Sequence, residues 1–231
     1  MIPSVRPQAG ERPPEADLGR GSVLVDSVSM SFSRSRGRKV FDALYDVSLS
    51  IAAGEFVALV GPSGCGKSTL LKVAAGLLTP TRGSVTISDA PVVGPRRSVG
   101  IMFQLPQLFP WRTVLSNILL PVDVFGRSRK DYEGRARELL RAVGLDEQFA
   151  TAYPKELSGG MQQRVALCRV LIADPEIILM DEPFAAVDEL TRERLDSQLL
   201  DVWSTSQKTV LFVTHNIAEA AFLADRVVVM G

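Results

Sequence analysis

The sequence predicts an α/β fold: a mostly parallel β-sheet covered by helices, an antiparallel β segment ahead of it and a helical segment inserted into it. Three observations carry this. Short, wholly apolar runs such as Phe56–Val60 (FVALV) and Ile177–Met180 (IILM) have the length and composition of strands buried on both faces. Each is followed by a helical pattern and then another apolar run, the alternation that gives parallel strands joined by helical crossovers. Between Val114 and Val143 that alternation yields to helical periodicity alone.

Met1–Gly21 is rich in Pro, Arg and Glu without periodicity and is expected to be a disordered tail. Val23–Met30 and Tyr45–Ile51 alternate apolar with polar residues, and the basic stretch Ser33–Lys39 divides them, so a hairpin with a solvated loop is expected. Strand Phe56–Val60 leads through a glycine-rich turn into a helix over Lys67–Leu78, punctuated by Pro80 and Gly83. Helices follow over Val114–Phe125 and Lys130–Val143, the second with Tyr132, Ala136, Leu139, Leu140 and Val143 on one face and Gly144 at its stop. A helix over 159–172 ends at Asp174-Pro175. Then come a strand at Ile177–Met180, a helix at Leu190–Trp203 and strands at Val210–Thr214 and Val227–Met230.

The totals exclude several classes. A chain of 231 residues is long enough for a substantial core, and 26 basic against 26 acidic residues give no reason to expect a nucleic-acid partner. No stretch of about 18 apolar residues could span a membrane, and the first residues lack the apolar centre of a signal peptide. Any membrane role must come through a partner. Cys65 and Cys168 are too few for a disulfide framework and read as reduced intracellular thiols.

Gly61-Pro62-Ser63-Gly64-Cys65-Gly66-Lys67-Ser68-Thr69 satisfies G-x-x-x-x-G-K-[ST] in the context its chemistry needs, after a buried strand and opening a helix. The glycines let successive N–H groups face phosphate oxygens, and the helix adds its positive end. Lys67 is placed to bridge β- and γ-phosphates, and Ser68 to ligate Mg²⁺. The second half of such a site is Asp181-Glu182, delivered by an apolar strand at its C-terminal end. Asp181 suits the Mg²⁺ shell, and Glu182 suits a general base for the attacking water. The core is therefore expected to be that of a P-loop NTPase of RecA-like type.

A second glycine pair lies far downstream, in Leu157-Ser158-Gly159-Gly160-Met161. Ser158 is a preferred N-cap, and two residues without side chains let a ligand approach the free N–H groups of the helix start. One ATP is already gripped by its own loop. A second anion-binding tip makes sense when it closes over the nucleotide of another copy, giving two ATPs between two subunits.

GPSGCGKST, LSGGMQQR, ILMDEP and the VTH ending at His215, in this order, resemble the ATP-binding subunits of ABC transporters over about Val23–Gly231. That resemblance implies an ATPase domain over 22–231, with core segments 22–103 and 161–231 and a helical subdomain over 104–160. It implies that Phe32 stacks on adenine, where the family often has Tyr or Trp. Gln104 would link the Mg²⁺ site to the membrane partner, Asp188 would cross a homodimer interface, and His215 would contact the γ-phosphate and Glu182. Phe103, Leu108, Phe109, Pro110 and Trp111 then suggest a groove beside Gln104 for a short helix of a permease. LFPWRTVLSNILLP, DEPFAAVDELTRERL and KTVLFVTHNIAEAAFLADRVVVM look like the importers of nitrate, sulfonates, taurine and vitamin precursors. In those, the ATPase sits peripherally on the cytoplasmic face and works with a permease and an extracytoplasmic solute-binding protein. The family usually continues beyond the strand at which this sequence stops.

Soluble ABC ATPases of DNA repair or chromosome maintenance share the phosphate loop and the glycine pair. They carry long coiled coils between the two, and no heptad run lies between Thr69 and Ser158. A binding module that has lost hydrolysis is disfavoured by the presence of both Glu182 and His215.

Overall fold

The computed structural model describes residues 19–33, 40–185 and 187–231. The first part of the chain forms β1 (Val23–Ser33), β2 (Val40–Ile51), β3 (Phe56–Val60), α1 (Lys67–Ala74), β4 (Arg82–Ile87), β5 (Ala90–Pro91) and β6 (Val99–Met102). The middle is helical, with α2 (Val114–Ile118), α3 (Leu120–Val124), α4 (Arg129–Ala142) and 3₁₀ turns at Glu147–Thr151 and Pro154–Glu156. Then follow α5 (Gly159–Leu171), β7 (Ile177–Asp181), α6 (Glu189–Ser206), β8 (Thr209–Val213), α7 (Ile217–Leu223) and β9 (Arg226–Val229). Among the described residues, no helix is long and apolar enough to cross a membrane.

Two sheets result. The first is antiparallel, in the order β2-β1-β4-β5, and the second is parallel, in the order β6-β7-β8-β3-β9. The predicted fold class is thus observed: a P-loop α/β core, an antiparallel β portion and a helical insertion between β6 and α5.

The central strands β3, β7 and β8 are buried at every position, and their period of two divides the core. Ile178, Met180, Val210, Phe212 and Phe56 face one way, joining the helical insertion, α5 and α6 in one cluster. Ile177, Leu179, Leu211, Val213, Val57 and Leu59 face the other way, against α1 and the antiparallel sheet. Phe56 fixes α6 by packing edge-on against Trp203, with ring centroids 5.7 Å apart.

Several local details depart from the sequence reading. The helix expected over Lys67–Leu78 closes at Ala74, because the N–H groups of Leu77 and Leu78 turn back to the Lys72 carbonyl. The helix expected over Val114–Phe125 is two short ones, since Pro121, near the start of α3, has no N–H to continue α2. Strands β4, β5 and β6 and helix α7 were not expected. Of the expected tail, residues 1–18 lie outside the described residues. Its last three, Gly19–Gly21, are held: Arg20 pairs with Glu176, and the Gly21 N–H donates to Ser88 Oγ at 2.7 Å. The basic loop lies outside the described residues apart from Ser33, the last residue of β1.

Candidate active site

At the C-terminal edge of the parallel sheet, the chain leaves β3 and enters the Gly61–Thr69 loop. Gly66, the N-cap of α1, has φ 105°, and a Cβ there would lie 2.3 Å from the Ala43 carbonyl oxygen. At Gly61 a Cβ would lie 2.0 Å from the Met230 carbonyl oxygen. The loop is wedged between β2 and the end of β9, and only glycine allows so close an approach. Pro62, Ser63 and Gly64 form its exposed crest, with Cys65 and Thr69 partly covered. Among the described residues, the N–H groups of Gly64, Gly66, Lys67 and Ser68 make no hydrogen bond and remain free for phosphate oxygens. Lys67 is 5% exposed, and its ammonium donates to the carbonyls of Gly61 at 2.7 Å and Pro62 at 2.9 Å.

Ser68 Oγ donates to Asp181 Oδ1 at 2.7 Å, bringing together the two hydroxyl and carboxylate groups expected near Mg²⁺. Asp181 ends β7, and the next residue turns sharply. Glu182 has φ 45°, a left-handed conformation that costs a non-glycine residue about 1–2 kcal/mol. Its N–H is anchored on the Val213 carbonyl at 2.9 Å. This turn gives the adjacent carboxylates different neighbours. Asp181 meets Ser68, whereas Glu182 Oε2 accepts from Gln104 Nε2 at 3.3 Å and lies 3.5 Å from His215 Nδ1. Residues from the segments after β6 and β8 thus converge on one oxygen of the residue that follows β7.

The other glycine pair opens α5. Ser158 caps it, accepting from the Met161 N–H at 3.3 Å, and Leu157 is buried beneath. Ser158 and Gly159 are exposed, and a Cβ on Gly159 would meet nothing within 4 Å. A Cβ on Gly160 would meet Thr191 and Val187 at ordinary contact distances. Among the described residues nothing thus requires glycine at either place, although each costs a helix about 1 kcal/mol relative to Ala. Thr191 and Val187 flank Asp188, the N-cap of α6, so this tip and the Asp188 turn are neighbours on one exposed face. Bonding to Thr191 holds the Asp188 carboxyl below the usual carboxylate range. Phe32 is 39% exposed near the end of β1, opposite Phe41 of β2. The same strand, two residues on, supplies the Ala43 carbonyl that touches Gly66.

Three functional neighbours escaped the sequence reading. Gln163 is 1% exposed and donates from Nε2 to the Gln104 carbonyl at 2.6 Å. Arg169 donates to the carbonyls of Pro106 and Gln107, each at 2.8 Å. Both lie on α5, so the helix carrying the exposed tip also holds the Gln104–Gln107 segment. Fully buried Asn117 accepts from the Phe109 N–H at 2.7 Å and donates to the carbonyls of Phe109, Arg112 and Thr113. It shapes the loop that carries Trp111, which is exposed and stacked on Phe109. Beside this loop runs a groove of about 630 Å³ lined by Ile101, Phe103, Leu108, Leu120 and Val124 among others.

Behind His215 lies a buried acidic pair. Asp196 is 5% exposed with Oδ1 unpartnered among the described residues, and burial, with the Glu219 charge, raises its carboxyl to about 7. A carboxyl raised on folding favours the folded state only while protonated, so its stabilisation is lost as pH rises from about 4 towards 7. Asp196→Asn should therefore raise the melting temperature at pH 8. Melting curves should show that gain shrinking through neutrality and vanishing near pH 4.

A glycine loop between a buried strand and a helix, with its serine bonded to the carboxylate ending a neighbouring strand, defines a P-loop nucleoside triphosphatase. Comparison narrows the class. The family described as ABC transporter matches residues 44–185, more than half of the sequence. The chain belongs to the ABC transporter family and is one of its ATP-hydrolysing cassettes. An ATP-binding protein of Brucella abortus biovar 1 is 52% identical over 191 residues, spanning 83% of this chain and 73% of that protein. The taurine import ATP-binding protein of Rhizobium johnstonii is 47% identical over 209 residues, spanning 90% and 79%. A solved dimeric ATP-binding cassette in a post-hydrolysis state, bound to ADP and Pi, superposes with a TM-score of 0.82 at 37% identity. It covers 90% of this chain and 94% of that one.

Proposed function

We propose that the chain powers uptake of a small solute of the nitrate, sulfonate, taurine or vitamin-precursor type, as a homodimer that closes on ATP beneath a partner permease. The observation that carries the catalytic part is the convergence of Gln104 and His215 on Glu182 Oε2, beside the Ser68–Asp181 pair. Gly61–Thr69 hold the phosphate chain, with Lys67 leaving its loop carbonyls for the more strongly accepting β- and γ-phosphate oxygens. Phe32 stacks on the base. Glu182 takes the proton of the attacking water, and His215 orients that carboxylate and contacts the γ-phosphate.

The donor set suits Mg²⁺: one carboxylate, one hydroxyl and one amide oxygen, all hard ligands, with the remaining positions left for phosphate and water. Asp181, Ser68 and Gln104 would hold it, and when bound it neutralises charge developing on the phosphates.

The tip Leu157–Met161, exposed at Ser158 and Gly159, grips the γ-phosphate bound to the other copy, and Asp188 lies across the same interface. Support comes from Gly159, where a Cβ would meet none of the described residues, and from the dimeric state of the similar cassette. The groove beside Gln104 receives a cytoplasmic helix of the permease. Transport in the inward direction is supported by the 47% identity to a taurine import protein. On this reading the cassette sits on the cytoplasmic face of the membrane, and an extracytoplasmic binding protein delivers the solute.

Ser158→Arg tests the arrangement. Single-subunit ATP binding, followed by equilibrium titration, should stay unchanged, while turnover should fall at least about 100-fold, the scale of a lost transition-state donor. Loss of binding by the isolated subunit would put Ser158 in its own nucleotide site and end the dimer reading.

A further inference from the structure

The turn that presents His215 is itself fastened from behind. Thr214 is 2% exposed, and its hydroxyl donates to the Glu219 carboxylate while accepting from the Asn216 N–H at 3.0 Å. The Asn216 side chain in turn accepts from the N–H groups of Ala218 and Glu219, at 2.9 and 3.2 Å. One hydroxyl therefore ties the backbone on both sides of His215, and Glu219 orients that hydroxyl.

Glu219 is 7% exposed, and among the described residues Thr214 is the hydrogen-bond donor to its carboxylate. The charged groups around it are Arg192 and Asp196 from α6, His215 after β8 and Glu182 after β7. Burial raises the Glu219 carboxyl above the usual range. An apolar side chain of similar volume would fill this space without the penalty of burying a carboxylate. What the carboxylate adds is an acceptor for the Thr214 hydroxyl.

We propose that Glu219 is a positioning residue for hydrolysis: through Thr214 it fixes the 214–216 turn so that the His215 imidazole meets Glu182 and the γ-phosphate. Glu219 does not touch the nucleotide. The inference rests on the role given to His215 above.

Steady-state ATPase rates and equilibrium ATP binding of the full chain test it. Thr214→Val and Glu219→Ala should each lower kcat about tenfold or more, with ATP affinity within about twofold of the original, the pattern of a lost transition-state contribution. Thr214→Ser and Glu219→Gln keep donor and acceptor, and should stay within about threefold of the original rate. The Thr214→Val/Glu219→Ala double variant should be no slower than the slower single one, because both remove the same interaction.

A Thr214→Val enzyme at full rate would overturn the proposal. So would a Glu219→Gln enzyme as slow as Glu219→Ala, or multiplying losses in the double variant. If melting curves show that Glu219→Ala does not fold, the Thr214 pair decides. His215→Ala separates the two levels. If it keeps full kcat, the role of His215 falls and this inference with it. If it loses turnover while Thr214→Val does not, the inference alone falls.

Discussion

Glu182→Gln will stop turnover without dismantling the site. The Gln104 amide and His215 approach a single oxygen of Glu182, and a glutamine can present its carbonyl oxygen in the same place. The left-handed backbone at 182 costs glutamine and glutamate alike, so the fold bears no new strain. What disappears is the capacity to take a proton, worth about 10²–10⁴-fold in rate. On the proposed two-subunit arrangement, ATP then remains uncleaved between subunits whose phosphate contacts are intact. The expected result is a dimer that persists on gel filtration or sedimentation with saturating ATP and dissolves when ATP is removed. A variant that stays monomeric under saturating ATP would defeat the two-subunit sandwich.

Lys67→Ala acts at the other end of the reaction, on binding. Lys67 is buried, with its ammonium held on the Gly61 and Pro62 carbonyls, and it is the one cationic residue of the Gly61–Thr69 sequence. A hydrogen bond to a charged group contributes about 1.5–3 kcal/mol, so losing contacts to two phosphates predicts an affinity loss on the order of 100-fold or more. Turnover should fall with it. Calorimetric titration with ATP is the measurement, and retained tight binding would remove the loop from its assigned role. A melting curve should accompany it, because Lys67 also bonds the carbonyls of Gly61 and Pro62 and its loss will loosen the loop.

The parts legible in the sequence were those where chemistry or burial leaves few options. Phe56–Val60 and Ile177–Asp181 are buried at every position, and such runs read as interior strands. The phosphate loop is readable because its glycines meet a steric demand, seen at Gly61 and Gly66. Edge and bridging elements were harder. β5 is two residues long, and β4 opens with exposed Arg82, Gly83 and Ser84, which periodicity cannot distinguish from a loop. Helix α7 is seven residues long, yet it carried an overlooked signal: Asn216 caps it, with Glu219 in the first turn. Gln163 and Arg169 escaped because their work is done on backbone carbonyls distant in sequence, and Asn117 because it bonds the backbone of an irregular loop just before it, which no spacing rule reveals.

Helix α5 has thirteen residues and is therefore about 20 Å long. It is attached to the 104–107 segment at two heights, under the Gln104 carbonyl through Gln163 and under Pro106 and Gln107 through Arg169, with its glycine tip projecting beyond both. A rod pinned at two levels cannot swivel about one of them while leaving the other still. A sideways pull on the tip is therefore expected to carry the 104–107 segment with it, because both are fastened to one stiff helix.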